Sequence, residues 1–183
     1  MLKTHKKQSP LPLSLVNAVV IVASLILCAL ALPLRLPGMD LAGIGPHWLL
    51  AWVVAWSVKR DAVQGTLGGI AAGLIQDSLT APHPTHALGL ALVGFMVGRI
   101  KQQRLMAEEF VSIALIVLCM AGFVEVILAL QFTVFRASPL TEVWSSLPQT
   151  ALSSAILSSL WTPVVYYPLN LWWNRTQAIR KSN

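Results

Sequence analysis

Charge is scarce in this chain. Only 11% of its 183 residues are Asp, Glu, Lys or Arg, where a water-soluble domain carries about 25%. That shortage excludes a solvated surface over most of the molecule. With 56% hydrophobic residues and a mean hydropathy of +0.69, the chain reads as a polytopic membrane protein without a separate soluble domain. Cysteine is almost missing too. Cys28 and Cys119 stand inside apolar runs, with no CxxC and no neighbouring histidine, which excludes a disulfide framework and a cysteine metal centre. Both are expected to be buried helix residues. Leu27, bulky and directly before Cys28, makes a poor lipid-attachment site.

The motifs of soluble enzymes are absent as well. There is no HExxH, no GxSxG and no phosphate-binding P-loop. His5 and His47 have no partner in sequence, and His83 and His86 fall in a turn with Pro82 and Pro84. Asp77 is the one clearly intramembrane aspartate, so the paired aspartates of a membrane protease are missing. The expectation is no catalysis, no cofactor and no metal. The net charge of +6 is not a nucleic-acid footprint, because basic residues in a membrane protein mark cytoplasmic loops.

What is present is apolar length. Six hydrophobic segments run over 13–32, 46–58, 63–80, 86–98, 110–135 and 147–172. The first follows MLKTHKK and could pass for a signal peptide. At about twenty residues it is longer than the usual apolar core of one, and it reads as an uncleaved helix. An inside N-terminus puts Lys3, Lys6, Lys7, Lys59, Arg60, Arg99, Lys101, Arg104, Arg175, Arg180 and Lys181 in the cytoplasm and leaves Arg35 and Arg136 outside. That asymmetry predicts two cytoplasmic termini. The organisation is a basic tail (1–12), one transmembrane domain (13–173) and a second basic tail (174–183). The second and fourth segments are short, about 20 Å against a ~30 Å hydrocarbon core, and four spans with two re-entrant hairpins is the structural alternative.

Polar residues inside the spans carry the functional argument. Gly65, Gly69 and Gly73 step by four along the third segment, a smooth ridge that lets another helix approach. Asp77 continues that ridge, and an acid in a span is a functional candidate by default. Glu125 lies deeper in the fifth segment, with Gln131 toward its outer end. No Lys or Arg lies at matching depth, so the sequence names no intramembrane ion pair. Thr150, Ser154, Ser158 and Thr162 form a polar ridge on the sixth segment, which Pro163 and Pro168 are expected to bend. Trp48, Trp52 and Trp56 form a stripe that faces lipid, helices or a ligand. Trp48, Trp144, Trp172, Trp173, Tyr166 and Tyr167 read as interface belts.

These features together resemble the MreD family of rod shape-determining proteins. The resemblance rests on Pro46-His47-Trp48-Leu49-Leu50 opening the second helix, on Gly65, Gly69 and Gly73-Leu74-Ile75-Gln76-Asp77, and on Gly89. It covers about 13–173. Gly94-Phe95-Met96 stands where the family often shows a tyrosine, and the Pro- and His-rich turn at 82–86 replaces a short Gly turn. The resemblance implies an all-α bundle of about six transmembrane helices in the bacterial inner membrane, similar to the S-component of energy-coupling-factor transporters. It implies a non-catalytic role in cell elongation, beside an MreC-like bitopic protein, MreB, RodA and the elongation transpeptidase. Pro46, Gly65, Gly69, Gly73, Asp77 and Gly89 become candidates for helix packing or partner binding, with Glu125 secondary. The alternatives are a vitamin-transporter S subunit, with Trp144, His83, His86, Gln131 and Glu125 lining an outer cavity, and a small proton-coupled carrier that titrates Asp77 and Glu125.

Overall fold

The computed structural model describes residues 13–34, 43–80, 84–100, 109–136 and 140–182. Among these residues the regular elements are six α-helices: α1 (Leu13–Ala31), α2 (Trp48–Ser57), α3 (Ala62–Leu79), α4 (His86–Arg99), α5 (Glu109–Arg136) and α6 (Leu140–Ser182). They form one helical bundle. The N-terminal segment 1–12, with His5, lies outside the described residues, as does His83; the side chain of Trp144 is likewise not described.

The bundle is built around its shortest helix. Nine of the ten residues of α2 are buried, and α2 touches each of the other five helices. A helix that is apolar all round belongs in a core. Leu49, Leu50, Val53, Val54 and Ala55 have no exposed surface. The tryptophan stripe faces other helices. Trp48 packs on Trp161 of α6 with ring centroids 5.6 Å apart, and Trp52 stacks on Trp56 at 5.8 Å. The Trp52 indole N–H donates to Ser24 Oγ on α1 at 2.9 Å.

Two antiparallel pairs flank this centre, α3 with α4 and α5 with α6. The α3–α4 contact is close because of glycine. A Cβ placed on Gly69 would lie 2.1 Å from the Leu90 carbonyl oxygen, and one on Gly73 would lie 2.2 Å from Ala87 Cα. Gly65 and Gly94 meet reciprocally, each within about 2.2 Å of the other's carbonyl oxygen once a Cβ is built. Lipid offers no hydrophobic force between helices, so association depends on this kind of backbone contact.

Helix lengths differ from the expected segments in an informative way. The helix α2 begins at Trp48, two residues after Pro46, and spans only about 15 Å. The helix α4 spans about 21 Å. Among the described residues, Val111–Phe135 of α5 is the one stretch long and apolar enough to cross a membrane unaided. The helix α6 runs from Leu140 to Ser182, well past the expected 147–172, and carries Pro148, Pro163 and Pro168 inside it. Hydropathy marks the apolar stretch of a helix, whereas the helix itself continues into its polar ends.

Three further expectations are corrected. Cys28 is buried, but Cys119 is exposed on the outer face of α5. Trp48, Tyr166 and Trp173 are core residues at 8%, 2% and 4% exposure, not belt residues, because they pack within the cluster centred on α2. The third correction concerns the histidines.

Candidate functional site

Helices that start inside a bundle leave up to four backbone N–H groups without intrahelical partners. Among apolar neighbours each such group is costly. Both short helices, α2 and α4, begin in this way, and both beginnings are held by polar side chains from the longer helices.

At the start of α4, Asp77 reaches across from the last turn of α3. Its carboxylate accepts from the Thr85 hydroxyl at 2.6 Å and from the His86 backbone N–H at 2.7 Å. The His86 imidazole Nδ1 lies 2.8 Å from the same carboxylate, and the Ala87 N–H points to it at 3.4 Å. Thr85 is the N-cap of α4, its hydroxyl also accepting from Ala87 N–H. Gln131 of α5 closes the other side: its Oε1 accepts from Thr85 N–H at 3.0 Å and its Nε2 donates to the Thr85 carbonyl at 3.1 Å. A carboxylate at a helix N-terminus also meets the positive end of the helix dipole. Asp77 therefore acts as a cap supplied from one helix to the next.

At the start of α2 the arrangement repeats with different residues. The His47 backbone N–H donates to Ser158 Oγ of α6 at 2.9 Å. The His47 imidazole Nε2 lies 3.0 Å from Glu125 Oε1 of α5, a hydrogen bond whichever group carries the proton. Both side chains are largely buried. Glu125 and Gln131 are six residues apart on α5, about 9 Å along its axis, so a single helix serves both sites.

The opposite end of α2 is tied as well. The Lys59 ammonium donates to Asn170 and Asn174 of α6. A cation just beyond a helix C-terminus is favourably placed against the dipole. The helix α6 thus grips α2 at both ends, through Ser158 and through Asn170 and Asn174.

Of the residues singled out from sequence, Gly65, Gly69 and Gly73 lie against α4 and Gly89 lies against Val124 of α5, its Cβ position 3.4 Å from Val124 Cγ1. Pro46 is buried just before α2. The polar ridge of α6 is internal: Ser154, Ser158 and Thr162 are at most 1% exposed, and the Thr162 hydroxyl donates back to the Ser158 carbonyl at 2.6 Å. Residue patterns missed His47 and His86, which were left without partners or placed in a turn. Each is the partner of an acid singled out from the sequence. The available signal was position: both open a short apolar segment, and an acid without Lys or Arg at its depth can be matched by His.

Among the described residues no cluster of three or more His, Cys, Asp or Glu is placed to hold a metal ion. Searches of curated proteins and of solved structures return no match. The family model described as rod shape-determining protein MreD matches residues 14–169. That match covers most of the chain, and the protein belongs to the MreD family.

Proposed function

We propose that this protein is a non-catalytic, multi-pass component of the bacterial inner membrane that takes part in rod-shape determination by binding an MreC-like bitopic protein. In this reading MreB, RodA and the elongation transpeptidase act in the same assembly, and lateral peptidoglycan synthesis is what it helps organise. Membership of the MreD family over 14–169 is the observation that carries it. Six spans with both termini cytoplasmic fit the basic residues, eleven of which fall on one side. The likeness of the bundle to transporter S-components belongs to the same proposal.

The polar chemistry of the spans agrees with a scaffold. Asp77, Glu125, His47, His86 and Gln131 hold helix ends together. The glycine ridge shapes the α3–α4 hairpin, so partner contact falls to the exposed apolar faces of the bundle. A vitamin-transporter subunit or a carrier needs Glu125, Gln131 and His86 turned toward a substrate. Here they are turned toward neighbouring helices.

Affinity purification of the tagged protein from its native host in mild detergent, followed by mass spectrometry, tests the proposal. Recovery of an MreC-like protein with elongation enzymes is expected. Recovery of paired ATPases with a transmembrane coupling subunit would replace it with the transporter reading.

A further inference from the structure

A cavity of about 400 Å³ opens at the end of the bundle away from Asp77, between the start of α3 and the end of α4. Its polar side chains are Lys59, Arg60, Asp61, Gln64 and Arg99, and Gly98 also lines it. Three cations and one carboxylate line it. Of the helix termini here, α3 presents its positive end while α2 and α4 present their negative ends, which together remove about half a charge. Among the described residues the corner is therefore net cationic by roughly one to two charges.

Aromatic rings position both guanidinium groups. Arg60 Cζ lies 4.4 Å from the Trp56 ring centroid, and Arg99 Cζ lies 4.9 Å from that of Phe95. Such stacking attracts the cation and restricts its rotation. A guanidinium carries five N–H donors in a planar fork whose geometry suits two phosphate oxygens. Lys59 is turned to Asn170 and Asn174 and contributes charge rather than a direct contact.

An apolar track leads to the same corner. Leu88, Leu92 and Phe95 are exposed on α4, and Arg99 is the next residue on that face. From Leu88 to Arg99 is about 16 Å along the helix, close to one leaflet of a ~30 Å hydrocarbon core. Charge at one end and one leaflet of exposed hydrocarbon contact behind it match an amphiphile rather than a free ion.

We propose that this corner binds the phosphate of an anionic phospholipid, with Arg60 and Arg99 on the headgroup and an acyl chain along Leu88, Leu92 and Phe95. The site depends on the proposed orientation only for naming the leaflet, which is the cytoplasmic one. Basic pockets between transmembrane helices on that side are suited to anionic headgroups.

The test uses the full chain in mild detergent and reads lipid adducts by native mass spectrometry. Dioleoyl phosphatidylglycerol and dioleoyl phosphatidylcholine are titrated separately, since they share tails and phosphate and differ in net charge. Phosphatidylglycerol is expected to bind at tenfold or more lower concentration. Each basic residue near an anionic headgroup contributes about fivefold, so Arg60→Gln with Arg99→Gln weakens phosphatidylglycerol roughly thirtyfold and weakens phosphatidylcholine, which carries the same phosphate but no net charge, by less. Asp61→Asn, an exposed change, tightens binding by about fivefold. Equal binding of the two lipids by the unaltered protein overturns the proposal. So does an Asp61→Asn variant that binds no tighter, which decides the matter even where the double variant fails to fold. Displacement by inorganic phosphate would identify an ion site instead. None of these readouts involves partners or topology, so failure here leaves the rod-shape proposal intact.

Discussion

Replacing Gly69 with alanine is expected to destabilise the bundle by about 2 kcal/mol. The new methyl carbon would sit 2.1 Å from the Leu90 carbonyl oxygen and 2.6 Å from its carbon, whereas ordinary contact begins at 3.4 Å. The α4 backbone must retreat by about 1.3 Å, the difference between the first and last of those distances. Overpacking costs about 1–3 kcal/mol, and the upper end applies because a backbone carbonyl cannot rotate away as a side chain can. Alanine returns up to about 1 kcal/mol through helix propensity. The remainder lowers the folded-to-unfolded ratio roughly thirtyfold. Unfolding of the purified protein in mixed detergent and denaturing surfactant measures it. Gly122→Ala is the matched control, because a Cβ there meets nothing within 4 Å, and it should be neutral or slightly stabilising. A Gly69→Ala protein as stable as Gly122→Ala would refute the close-contact argument. Leucine at Gly69 or Gly73 should prevent accumulation altogether.

Other perturbations probe the helix caps and the topology. Asp77→Ala should cost about 3 kcal/mol and Asp77→Asn about 1 kcal/mol, since the amide keeps one acceptor oxygen for the His86 N–H but loses the charge. Thermal unfolding equal to that of a Ser78→Ala control would count against the cap. In cells, Asp77→Asn should impair rod shape more than Glu125→Gln, because Asp77 bonds directly to the first turn of α4. His47→Ala should cost about 3 kcal/mol by leaving Glu125 buried alone. A double-mutant cycle of His47→Ala with Glu125→Ala should show coupling above about 1 kcal/mol, and strictly additive losses would mean the pair does not form. For topology, a cysteine at His83 should react with an impermeant maleimide from outside, and one at Gln102 should not. The reverse pattern would overturn the six-span orientation.

The residues themselves determined the class of the molecule and most of its elements. Low charge and long apolar runs point to a membrane protein, and the extents of those runs match α1, α3, α4 and α5 within a residue or two. The four-residue glycine step on α3 announced a close-packed face, because only a missing side chain permits backbone contact. What the one-dimensional pattern lacked was the identity of the opposing surface. Gly69 meets Leu90, twenty-one positions away, and Glu125 meets His47, seventy-eight positions away. An acid in a span reads as a charge without a partner until the fold brings a neighbouring helix start to it. Tertiary structure alone decided that Asp77 and Glu125 stabilise the interrupted ends of two short helices, and that α2, too short to span, forms the centre. The physical reason is that lipid cannot hydrogen-bond a helix terminus. Wherever a helix ends inside the bundle, another part of the chain must supply the missing acceptor, and only the folded arrangement says which part.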